Sequence, residues 1–180
     1  KAGLHRATHT VQQLLTLARQ EPGAVESERV EIDLEPLLRD AVAEHASPAV
    51  ARHIDLGLVK TGESVHVLGD SAALRILLAN LIANALHYVP EGGRVDVGYG
   101  LDTGLPYVEV VDNGPGIPAE ERERVFDRFY RRGSGSGAGL GLAIVQTIAQ
   151  RHGAQVKLLE PIGGGLQIRV VFPVGPSADC

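Results

Sequence analysis

Asn80, Asn84, His87 and Tyr88 stand at i, i+4, i+7 and i+8 of the segment with the strongest helical period in the chain. On a helix these offsets share one face. Leu74, Leu78, Leu81, Ile82 and Ala85 fall on the opposite face. Asparagine is a poor interior helix residue, because its amide competes for backbone hydrogen bonds. Two of them in a Leu- and Ala-rich segment therefore need a reason. One reading is a solvated face. The other is a row of amide oxygens and an imidazole turned toward a ligand or a hydrated metal. Mg²⁺ takes oxygen ligands and keeps several waters, so one amide oxygen plus phosphates can form such a site.

Two further stretches carry possible chemistry. In Val108-Glu109-Val110-Val111-Asp112-Asn113-Gly114-Pro115-Gly116-Ile117 an apolar run ends in a carboxylate and a glycine turn. Asp112 could accept from an exocyclic amine, and Gly114 and Gly116 permit close backbone approach to a ligand. An ordinary Asx turn is the plain alternative. The second stretch, Gly133-Ser134-Gly135-Ser136-Gly137-Ala138-Gly139-Leu140-Gly141-Leu142, runs into an apolar helix. A glycine loop at a helix N-terminus offers free N–H groups and a positive dipole end, which suits phosphate. Arg128, Arg131 and Arg132 precede it and could reach an anion. A flexible linker is the alternative there. The loop matches neither the P-loop nor the dinucleotide-binding glycine pattern.

The elements that must position these residues alternate between strand and helix. Strands are expected at 29–33, 54–59, 64–68, 94–99, 107–112, 156–160 and 166–172. Helices are expected at 34–51, 70–88 and 140–151, with Pro48 near an end or marking a break. Hairpins outnumber crossovers, which predicts a two-layer α/β sandwich with a mixed, mostly antiparallel sheet packed on three helices. Ahead of this unit, Leu4, Ala7, Val11, Leu14, Leu15 and Ala18 mark an appended amphipathic helix that needs a partner surface.

Composition limits the function. The 180 residues carry 17 Lys and Arg against 22 Asp and Glu, a formal charge of −5, which argues against a nucleic-acid binder. Hydrophobic residues at 44% suffice for a core, which excludes a disordered chain. The only cysteine is Cys180, so neither an internal disulfide nor a cysteine metal site is available. No apolar run approaches the roughly 18 residues of a membrane span. The chain has no Met and begins at Lys1, the expectation for a piece of a longer protein.

Taken in order, the motifs resemble those of the ATP-binding domain of two-component sensor histidine kinases, within the GHKL superfamily and its Bergerat fold. Asn80-Leu81-Ile82-Ala83-Asn84-Ala85 resembles the asparagine box, and Asp112 to Ile117 the first glycine box. Phe126-Asp127-Arg128-Phe129-Tyr130-Arg131 resembles the phenylalanine box, and Gly137 to Val145 the second glycine box. The resemblance covers about residues 30–173. Residues 4–20 are similar to the second helix of the dimerisation hairpin. The implied division is 1–22 hairpin remnant, 29–173 ATP-binding catalytic domain and 174–180 tail.

The resemblance implies ATP and Mg²⁺ as cofactors and a role for each position. Asn84 would hold the metal and Asn80 would assist near the phosphates. His87 stands where many members have Lys or Arg on phosphate, and a neutral imidazole is a weaker partner. Tyr88 would line the site. Asp112 would accept from the adenine amino group, beside Gly114, Gly116 and Ile117. Arg131 or Arg132 would approach the phosphates, and the backbone from Gly137 through Gly139, Leu140, Gly141 and Leu142 would cradle them. The short Gly/Ser lid is expected to be mobile without nucleotide.

In gyrase-like ATPases of the superfamily a glutamate stands four residues before the metal-binding asparagine and activates water. Here that position is Asn80, and an amide takes no proton. Transfer to a protein nucleophile is thus favoured over hydrolysis. The family's acceptor histidine is followed by an acidic residue. His5, His9, His45 and His53 are followed by Arg, Thr, Ala and Ile, so self-phosphorylation is not expected. The implied partners are the parent's own dimerisation domain, as a homodimer, and a response regulator. The implied location is the cytoplasmic part of an inner-membrane sensor. A nucleotide- or partner-binding module without turnover is the alternative.

Overall fold

The computed structural model describes residues 29–59, 64–130 and 139–174. The amphipathic segment at 4–20, the stretch holding Arg131, Arg132 and Gly137, and the tail from 175 lie outside the described residues. Among the described residues seven strands and three α-helices follow one another: β1 (Val30–Asp33), α1 (Leu34–Ala51), β2 (Asp55–Val59), β3 (His66–Gly69), α2 (Ser71–Tyr88), β4 (Arg94–Asp102), β5 (Leu105–Asp112), α3 (Gly141–Arg151), β6 (Gln155–Leu159) and β7 (Leu166–Val171). Two short 3-10 turns, Ala119–Glu121 and Arg124–Phe126, interrupt the stretch between β5 and α3.

Local chemistry sets the helix starts. The Asp33 carboxylate accepts from the Glu35 N–H at 3.0 Å and opens α1. Asp70 opens α2 by accepting from the N–H groups of Ala72 at 2.9 Å and Ala73 at 3.1 Å. Pro48 lies inside the end of α1, which continues to Ala51. A missing N–H in the last turn removes one bond without ending the helix.

The main sheet has the order β2-β4-β5-β7-β6. Among the described residues only β2 and β4 pair in parallel, joined through α2. The other pairs are antiparallel. β1 and β3 form a separate antiparallel pair, which the sequence pattern does not reveal. The β4–β5 hairpin is also longer than expected, running to Asp102 and Leu105. Gly98, Gly100 and Pro106 obscure its alternation. Tyr99 is fully buried and donates its hydroxyl to Glu35 at 3.0 Å, which carries the strand onward.

The core lies between one sheet face and the helices. Leu38, Leu77, Leu78, Leu81, Ile82, Ile144 and Ile148 meet Val95, Val97, Val108, Val110, Ile168 and Val170. Each such side chain, fully buried, contributes about 1.5–3 kcal/mol. The other face mixes Asp96, Glu109, Gln167 and Arg169 with Val111 and Val171. Arg169 donates to Glu109 at 2.8 Å and to Asp102 at 3.3 Å, and lies 4.2 Å over the Tyr107 ring. One sheet face is therefore committed to the helices, and α2 is left with one open face.

Candidate functional site

That open face carries the four residues singled out from the spacing. Asn80 and Asn84 are half-buried, and His87 and Tyr88 are exposed. The His87 and Tyr88 rings meet edge to face at 4.8 Å. Asn80 donates its amide to the Ile76 carbonyl at 2.8 Å, which fixes the side chain against its own helix. A Cβ built on Gly141 would lie 3.4 Å from the Asn80 amide oxygen. The middle of α2 is therefore in close contact with the first residue of α3.

The start of α3 suits an anion. Leu140 precedes the helix and its apolar side chain gives no cap, so the first N–H groups lack the usual capping oxygen. Leu140 and Leu142 are buried and hold the helix end in the core. Gly139 has a φ of +68°, and a Cβ there would sit 2.6 Å from the Tyr130 carbonyl. Its own carbonyl accepts from the Phe129 N–H at 2.9 Å. The two ends of the 131–138 stretch are thus tied together by a contact that only glycine permits.

At the C-terminal end of α2 stands the β5 turn. Asp112 is 7% exposed, an uncommon burial for a carboxylate. Its Oδ1 accepts from the Gly114 N–H at 2.8 Å. Burial pushes its carboxyl pKa up, and the backbone N–H groups of Gly114 and Leu166 partly oppose this. A carboxylate has about four acceptor positions, so two N–H donors leave it capacity for a ligand amine. A Cβ at Gly114 would come within 2.9 Å of Asp112 Oδ1 and 3.4 Å of the Tyr88 carbonyl. The glycine turn is therefore pressed against the last turn of α2. Gly116 backs onto Gly165 of the β6–β7 hairpin. Ile117 packs on the core edge.

Sequence reasoning missed three supporting residues. Asn113 accepts from the Arg94 N–H at 2.8 Å and holds the mouth of the turn. Arg122 donates to the Ile117 carbonyl at 3.1 Å and to Glu160 at 3.2 Å. Arg52 binds the end of α2 from the end of α1. Asn113 had a signal, being an Asx residue at a strand end. The two arginines had none: Arg52 binds distant backbone carbonyls, and Arg122 binds one carbonyl and a carboxylate that the fold brings beside it.

Residues 69–176 match the family described as histidine kinase-, DNA gyrase B-, and HSP90-like ATPase. The chain belongs to this family. Within it, the chain is similar to sensor histidine kinases. It is 35% identical over 174 residues to the sensor protein kinase PmrB of Pseudomonas aeruginosa, covering 94% of this chain and 36% of that protein. It is 38% identical over 175 residues to the sensor protein QseC of Escherichia coli K12, covering 94% and 37%. The solved structure of full-length ShkA in complex with AMPPNP superposes with a TM-score of 0.81 at 29% identity, covering 91% of this chain and 35% of that one. The histidine kinase domain thus spans little more than a third of these curated relatives. Its architecture is the α/β sandwich of GHKL ATP-binding domains, as the motif order implied. Among the described residues no helix is long and apolar enough to cross a membrane.

Proposed function

We propose that this domain binds ATP with Mg²⁺ and presents the γ-phosphate to a histidine on a dimerisation domain, in a two-component relay. The observation that carries this reading is the contact of the Asn80 amide oxygen with Gly141. It sets an amide-lined helix face beside an uncapped helix N-terminus, where phosphates and a metal would meet. Asn84, one turn further on that face, and water would hold Mg²⁺, which supplies charge neutralisation on the phosphates. Asp112 would accept from the adenine amine, with Tyr88, Gly114, Gly116 and Ile117 around the base. His87 would lie near the phosphates with Arg131 and Arg132, and the backbone from Gly137 through Leu142 would cradle them. The amide of Asn80 takes no proton, which favours transfer over hydrolysis. Phosphoryl transfer asks for positioning and charge neutralisation more than covalent chemistry from the protein. The partners are the parent's dimerisation domain, in a homodimer, and a response regulator. The parent is an inner-membrane sensor with this domain on the cytoplasmic side.

The test uses labelled Mg-ATP and a separately purified dimerisation domain carrying an acceptor histidine. The label should reach the added domain and leave this chain unlabelled. An acid-labile phosphohistidine on the chain would refute the division of labour. Binding without transfer would instead support a nucleotide-binding module without turnover. Asn84→Ala and Asp112→Ala should each abolish ATP binding, and wild-type affinity in both would sink the residue assignment.

A further inference from the structure

We propose that Arg52 is a positioning residue for nucleotide binding, holding the last turn of α2 at a set distance from the Asp112 turn. The proposal rests on the nucleotide reading above. Arg52 follows the end of α1, and its side chain is part-buried. Its guanidinium donates to the carbonyls of Leu86 and Val89, the latter at 2.7 Å. Residues at a helix C-terminus leave carbonyls without intrahelical donors, and a cation there also meets the negative end of the dipole. His87 and Tyr88 lie between the two carbonyls that Arg52 binds. The planar guanidinium can hold both oxygens at once, which an ammonium cannot do with the same geometry.

The same residue holds the next turn through its backbone. The Arg52 carbonyl accepts from the Gly92 N–H at 3.2 Å, and the Gly93 carbonyl accepts from the Asp55 N–H at 2.9 Å. Gly93 is wedged in place: a Cβ on it would lie 2.3 Å from a Val89 methyl and 2.8 Å from Asn113 Oδ1. Asn113 in turn connects Asp112 to Gly114. Contacts therefore run without a gap from Arg52 through Val89 and Gly93 to the turn bearing the buried carboxylate. Arg52 acts on both walls of the base end of the site while contributing only to backbone atoms.

Arg52→Ala, Arg52→Lys and wild type should be compared at a temperature where circular dichroism shows all of them folded. In the alanine variant Mg-ATP and ADP should both bind about tenfold more weakly, because the site is no longer pre-organised for the base. In nucleotide-free samples the Asn113 and Gly114 amide resonances should move while that of Ile144 in α3 stays. Lysine keeps the charge but not the fork, and should lose about threefold, a partial rescue. Wild-type affinity and unmoved Gly114 resonances in the alanine variant would overturn the proposal. Should that variant fail to fold, wild-type values for both readouts in the lysine variant would overturn it. A wild-type protein that does not bind ATP would reject the nucleotide reading. The nucleotide-free resonances would still decide whether Arg52 holds the turn.

Discussion

Asp112 sits in surroundings that its own charge opposes. Burial raises its pKa, and the Gly114 and Leu166 N–H groups offset only part of that. For a carboxyl raised in the folded state, the native protein holds its proton to higher pH than the unfolded chain does. Its contribution to stability is therefore complete below the ordinary carboxylate range and is lost as pH rises through the folded value. Asp112→Asn should remove this slope from unfolding free energy measured against pH, while adenine nucleotide affinity falls sharply. An unchanged slope would show that the carboxyl is not the group responsible. A carboxylate buried at a cost to stability is the pattern expected of a binding group.

At the scale of elements, β3, α2 and α3 meet at one imidazole. The His152 Nδ1–H donates to the Ile148 carbonyl at 2.8 Å, and Nε2 accepts from the Asp70 N–H at 3.1 Å. Those two partners require the neutral ring. Burial depresses the His152 pKa; its bond to Ile148 and the charge of Asp70 push it up, and the nearby Arg29 and Arg151 push it down. The folded pKa is lowered, so the stabilisation is present above the ordinary imidazole range and is lost as pH falls through the folded value. The wild type should therefore lose stability on acidification below about pH 6.5. His152→Leu should flatten that loss and cost about 1–3 kcal/mol at neutral pH, because the Asp70 N–H is left without its partner. Equal acid slopes in both proteins would exclude His152 as the source. The close fit is shared by Gly69, where a Cβ would lie 2.9 Å from the ring.

For the whole molecule, α2 is the shared wall of core and site. Leu81 is 1% exposed among the sheet residues, while Asn84 lies half-buried on the open face. Leu81→Ala should cost about 2–5 kcal/mol and lower the thermal midpoint before it affects anything else. Asn84→Ala should leave unfolding free energy within about 0.5 kcal/mol and remove ATP-dependent stabilisation. Thermal unfolding with and without Mg-ATP separates the two. A large midpoint drop in the Asn84 variant without nucleotide would mean that the asparagine is structural.

Residue order alone was enough to read the helix of Asn80 and Asn84, the strand ending in Asp112, the glycine run into α3 and the family they share. Periodicity and short motifs are local, and these features are written within a few turns of chain. The separate β1–β3 pair, the full length of the β4–β5 hairpin and the supports from Arg52, Arg122 and His152 were decided by the tertiary structure. Each joins groups far apart in sequence, often a side chain to a backbone carbonyl, and a carbonyl is the same in every residue. Such partners leave no mark on residue type, so only packing can assign them.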